Sequence, residues 1–140
     1  MSNERKSGLV TRLAVLVLVV QGCATSDPDQ VAAVPASGTV TYKGQPVASG
    51  EIQFVPEKGR PAVGKIESGR FRMTTYSDGD GAIPGKAAVS VISTQEVPSK
   101  KGGDPEIKYL VPERYASTSN SGILVEIPPA GNDSIKIDIP

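Results

Sequence analysis

From Gly38 onward the apolar side chains of this chain recur at alternate positions in short runs, and turn-forming residues separate one run from the next. A period of two puts successive side chains on opposite faces of an extended backbone, so each run buries one face and wets the other. "TVTYK" sets Val40 and Tyr42 on one side, and "EIQFV" sets Ile52 and Phe54. "VGKIE" and "RFRMT" follow, the second opposing Phe71 and Met73 to Arg70 and Arg72, with Ser68-Gly69 between them as a two-residue hairpin turn. "AAVSVIS" offers Ala87, Val89 and Val91, "ILVEI" offers Ile123, Val125 and Ile127, and "SIKIDI" offers Ile135, Ile137 and Ile139. No stretch of ten or more residues carries a capped helical stripe. With 15 Gly and 12 Pro against 2 Phe, 4 Tyr and no Trp, the expected fold is all-β, a seven-stranded antiparallel β-sandwich. Its core is expected to hold Ile52, Phe54, Phe71, Val89, Val91, Val125 and Ile137.

The alternation does not reach the N-terminus. Residues 1–22 carry Arg5, Lys6 and Arg12 ahead of an unbroken apolar run from Leu13 to Val20, the pattern of a secretory signal. The run is well short of the roughly 20 residues a membrane-spanning helix needs. "VVQGC" resembles the bacterial lipobox through Val20, Gly22 and Cys23, with Gln21, and Val in place of the commoner Leu at position 20, as departures. The resemblance makes Cys23, the sole cysteine, the lipid attachment residue and the membrane a partner through that N-terminal anchor. Two or three acyl chains would hold stably where one is marginal. Ala24 follows the cysteine, which by resemblance to the bacterial sorting rule implies the outer membrane. Residues 23–37 read as the lipidated cysteine and a flexible tether, with a first strand within Val31 to Val34 as the competing reading, and residues 38–140 read as the domain. Without residues 1–22 the chain keeps twelve bases against fourteen acids. That balance is no footprint for nucleic acid, which selects clustered basic faces.

The domain carries a family resemblance of its own. "SGTVTYKGQPVASGEIQFVP" and "SGRFRMTT" resemble the opening strands of carboxypeptidase-regulatory-like domains, which are transthyretin-like β-sandwiches. "DGAIPGKAAVSV" and "YLVPERYASTSNSGILVEIPPAGNDSIKIDI" resemble the later elements of small bacterial lipoproteins with that domain. The resemblance implies a fold and an envelope address rather than an activity. A transthyretin-like fold also hosts a hydrolase of purine breakdown, but its histidines and its C-terminal Y-R-G-S motif are missing here.

Catalysis is thinned further by what the chain lacks. With no His and one Cys, neither a Ser-His-Asp nor a Cys-His nucleophile system can be assembled, and the commonest zinc ligand is missing. Carboxylate pairs such as Asp78 with Asp80, or Glu57 with Glu67, lack the aromatic platforms a sugar cleft uses. "YSDGDGAIPG" opens like a calcium loop, yet supplies two carboxylates where calcium takes six to eight oxygens. A structural turn is expected, with no metal, no cofactor and Asn acceptable in place of either aspartate. "PSKKGGDPE", with Lys100 and Lys101, reads as a charged hairpin tip. The connection from Gln95 to Gly122 is long for a sandwich, and "YLVPERY" within it is expected to lay its Tyr and Leu over an open end of the domain. As a binding loop it would use Tyr109, Arg114 and Tyr115. The leading expectation is a non-catalytic, lipid-anchored accessory or adhesion module with a protein or glycan partner in the envelope. The alternative is a small-ligand or glycan-binding lipoprotein using the 95–122 loop.

Overall fold

The structure, a computed structural model, describes residues 30–100 and 102–140. The leader, Cys23 and the tether up to residue 29 lie outside the described residues. The strands are β1 (Ala36–Tyr42), β2 (Gln45–Pro46), β3 (Ser49–Pro56), β4 (Ala62–Glu67), β5 (Arg70–Thr74), β6 (Gly85–Ile92), β7 (Thr94–Val97), β8 (Glu106–Tyr109), β9 (Ile123–Ile127) and β10 (Asn132–Ile139). A 3₁₀ turn (Glu113–Ala116) and the one-turn helix α1 (Thr118–Ser121) lie between β8 and β9. All seven expected strands are present, and the architecture is the all-β one that the alternation required. They join in the order β10-β1-β5-β4-β3-β6-β9, with β2 against β1, in one sheet that curls into a half-barrel.

Each strand keeps the register its pattern demanded. In β4 the residues Ala62, Gly64 and Ile66 are buried while Val63, Lys65 and Glu67 are exposed, and β5 repeats this with Phe71 and Met73 buried. Ser68 and Gly69 both take positive φ, 50° and 76°, the turn that lets Glu67 pair with Arg70 without splaying the strands. The concave face gathers Val40, Ile52, Phe54, Ile66, Phe71, Val89, Val91 and Ile137 into one cluster, with Val125 half-buried against it. Phe54 on β3 and Phe71 on β5 meet edge to face across β4, centroids 5.8 Å apart. They can meet because the strand between them carries Ala62 and Gly64 on that face. A Cβ on Gly64 would come within 2.9 Å of the Met73 sulfur.

Three features depart from the expected sandwich. β1 pairs antiparallel with β5 but parallel with β10, Val40 opposite Ile137. The domain starts earlier than Gly38, since β1 begins at Ala36 and Val34, outside the sheet, makes an isolated bridge to Ala82. The strand weighed for Val31 to Val34 is reduced to that single bridge. The third is a separate two-stranded ribbon, β7 with β8, inside the long connection. Among the described residues no helix is long and apolar enough to cross a membrane.

The buried and exposed neighbours on β5 give a direct check of register. Phe71→Ala removes a ring that is 4% exposed and should cost about 3–5 kcal/mol, while Arg72→Ala on the wet face should stay within about 0.5 kcal/mol. Denaturant unfolding of the two variants measures both. Equal losses would show that β5 presents the other face.

Candidate functional site

The calcium-like stretch folds as a tight loop after β5, and Asp80 is its hub. Its Oδ1 accepts the Thr75 N–H at 2.7 Å, and its Oδ2 accepts the Tyr76 and Ser77 N–H groups at 2.9 and 3.0 Å. The Thr74 and Thr75 hydroxyls complete the loop, one accepting the Gly79 N–H and the other donating to the Gly81 carbonyl. Burial pushes the Asp80 carboxyl up, but the backbone amides aimed at it outweigh that and hold it below its usual range. Both oxygens therefore serve the chain's own backbone. Asp78 is exposed and makes no side-chain hydrogen bond among the described residues, whereas both Asp80 oxygens are bonded to backbone amides.

The loop's output is a docking edge for the N-terminal segment. Ala82 and Val34 exchange two backbone hydrogen bonds of 2.9 Å, and the Tyr76 hydroxyl donates to the Val31 carbonyl at 3.0 Å. Gly81 has φ 104°, and a Cβ there would lie 1.8 Å from the Val34 carbonyl oxygen. No side chain fits. The expectation that Asn would serve at either aspartate is corrected at Asp80, because an amide offers one acceptor atom where three N–H groups converge on two.

The long connection divides Tyr109, Arg114 and Tyr115 among three settings. Tyr115 is 2% exposed and belongs to the core, where Val111 accompanies it. The 3₁₀ turn carries it there, and α1 is fastened to the sheet by the Ser121 hydroxyl, which donates to the Val89 carbonyl. Arg114 is exposed, lies over the Tyr115 ring at 4.5 Å and donates to its hydroxyl. Tyr109 stands on β8, 42% exposed. "YLVPERY" thus covers the core with Val111 and Tyr115, not with Tyr109 and Leu110, which stay exposed. The 3₁₀ turn that starts at Glu113 brings Tyr115 inward, a change of backbone period that a period-two reading does not anticipate.

The most voluminous concavity among those found, about 930 Å³, is an open groove over the wet faces of β3, β4 and β5. Glu51, Glu67 and Asp78 balance Lys65, Arg70 and Arg72 along it, and Glu67 is bonded to Lys65 at 2.8 Å. The four best-formed concavities among the described residues are lined by other residues than Tyr109, Arg114 and Tyr115. Lys100 lies at the tip of the β7–β8 ribbon, and Lys101 lies outside the described residues. Glu57 is exposed in the turn between β3 and β4, away from any pairing with Glu67. Among the described residues no group of three or more acids, Cys or His is close enough to hold a metal ion. Comparison with family models, curated proteins and solved structures finds no match.

The hairpin tip expected at "PSKKGGDPE" is present, and what the sequence did not show is the pair of strands that flank it, β7 and β8. Ile107, 68% exposed, Tyr109 and Leu110 place three exposed apolar side chains on this ribbon and at its end. "TQEV" and "EIKY" are too short and too charged to register as strands, and the only available signal was the pair of prolines and glycines between them.

If Asp80 is the hub, Asp80→Asn should cost about 1–3 kcal/mol while Asp78→Asn is silent. The Asp80 carboxyl is lowered in the fold, so its contribution is complete above its unfolded pKa and is lost as pH falls through the lowered value. Stability of the Asp80→Asn variant should therefore fall less on acidification than that of the wild type. Gly81→Ala should cost at least about 3 kcal/mol, combining a strained φ with the clash at Val34. Chelator should leave the melting temperature unchanged; a calcium-dependent rise abolished by Asp80→Asn would reassign the loop as a metal site.

Proposed function

We propose that this chain is a non-catalytic module held in the cell envelope by a lipid on Cys23, at the outer membrane, and that it works by presenting a protein-interaction surface. The observation that carries the reading is a polarity of the domain. Val31, where the described chain begins its contacts, shares a hollow with Pro84, Gly85 and Lys86 at the start of β6. The ribbon leaves the other end of that strand, eight residues or about 26 Å away. A tether entering at Val31 would hold the domain by one end and leave the ribbon at the far one. Exposed apolar side chains gathered on a protrusion are the feature interaction surfaces share. The missing histidines and the single cysteine support a binding role over a catalytic one.

The anchor is tested in cells with radiolabelled palmitate. Wild-type chain should incorporate label, and Cys23→Ala should accumulate as an unlabelled precursor that retains residues 1–22. Label in the variant band would sink the anchor.

A further inference from the structure

The ribbon carries an unfinished edge. β8 pairs with β7 alone, and all four of its residues, Glu106 to Tyr109, are exposed. A two-stranded ribbon wet on both faces is marginal by itself and gains from further strands. Its backbone polarity follows from one bond. The Leu110 N–H donates to the Ser93 carbonyl at 2.8 Å, continuing the register in which Thr94 faces Tyr109. Hydrogen-bonded pairs alternate along an antiparallel ladder, so Lys108 with Gln95 and Glu106 with Val97 are the bonded pairs. The N–H and C=O groups of Ile107 and Tyr109 therefore point away from β7, along the free edge.

We propose that this edge pairs with the same edge of a second copy of the chain, antiparallel about a two-fold axis through Ile107. Only residues whose backbone groups face outward can form a bonded pair across the axis, which allows Ile107 opposite Ile107, Ile107 opposite Tyr109 or Tyr109 opposite Tyr109, and the last is ruled out because it runs past the end of β8 and sets Ile107 against the buried Val111. Charge separates the other two. With Ile107 on the axis, Glu106 stands opposite Lys108 of the second copy, twice, in the closer non-bonded positions. With Ile107 opposite Tyr109 the axis passes through Lys108, and two lysines face each other. The first register also lets each Tyr109 N–H reach the carbonyl of Pro105 in the other copy, for about four backbone bonds across the axis. Ile107 and Tyr109 of both copies then line one face of a four-stranded sheet. The free edge of β7 offers a poorer match, since the equivalent arrangement about Glu96 sets two carboxylates against each other. The association involves few residues and is weak in solution, becoming significant where copies are concentrated. It supplies a partner for the interaction surface proposed above and needs nothing of the anchor, which palmitate labelling reads separately.

Sedimentation velocity of the full-length chain in detergent, over a wide range of loading concentration, tests the pairing. The wild type should show a reversible monomer–dimer equilibrium. Lys108→Glu should weaken it at least about ten-fold, and adding Glu106→Lys to that variant should restore it, since the swapped pair regenerates the same contacts in reverse. A wild type that stays monomeric throughout would overturn the proposal. So would a Lys108→Glu variant that dimerises as the wild type does, or a charge-swapped variant that fails to recover. All of these positions are exposed, and matching circular dichroism spectra confirm that the variants fold.

Discussion

The close passage of the N-terminal segment through the sheet is the constraint on which the rest of this domain depends. β1 lies between β5 and β10 and, among the described residues, is the one strand to which the C-terminal strand is hydrogen-bonded. β1 and the two residues that lead into it, Val34 and Pro35, pass backbone against backbone at three glycines. A Cβ on Gly38 would lie 1.9 Å from the Ile135 carbonyl oxygen, one on Gly81 1.8 Å from that of Val34, and one on Gly131 2.6 Å from that of Pro35. The last contact is accompanied by the Asn132 N–H donating to the same Pro35 oxygen at 2.8 Å. On the wet face the Thr41 hydroxyl donates to Asp138 at 2.6 Å, tying residues almost the length of the domain apart. Without β1 the core would lose Ala36 and Val40, and β10 would have no partner.

Seen from that strand, the loop of Asp80 is a clamp rather than a receptacle. Its carboxylate gathers three amides that would otherwise face solvent or one another, and the rigid turn so formed presents Ala82 to Val34. Polar residues that look like chemistry in one dimension are here consumed by backbone satisfaction. The same holds for Ser93, whose hydroxyl donates to the Ser49 carbonyl at 2.6 Å while its own carbonyl receives the Leu110 N–H. The proposed function accordingly moves away from these groups to the ribbon that starts just after Ser93. There the apolar side chains have no internal use.

Interaction through a tethered far end is a physically coherent arrangement. A short ribbon gives weak contacts, and confinement to a membrane surface raises the effective concentration enough for weak contacts to matter. The proposed anchor and the proposed pairing thus reinforce each other while resting on separate residues, Cys23 for one and the free edge of β8 for the other.

The division between sequence and structure is visible residue by residue. Alternation alone determined which face of each of the seven main strands is buried, because a one-residue slip would have exposed Phe71 and buried Arg72. Ser68-Gly69 determined the β4–β5 hairpin, because the turn and its strands are adjacent in the chain. The parallel β1–β10 pair, by contrast, joins residues whose proximity no local pattern encodes. Asp80 was legible as a turn residue but not as a hub, since turn aspartates ordinarily bond amides that follow them and this one reaches back to residues 75–77. Tyr115 and Tyr109 are of equal promise in sequence, and only tertiary structure could put one in the core and leave the other on an open strand. Local covalent geometry decides what neighbours in the chain do, and so is readable from the sequence; which distant backbones share a hydrogen bond depends on how the whole core closes.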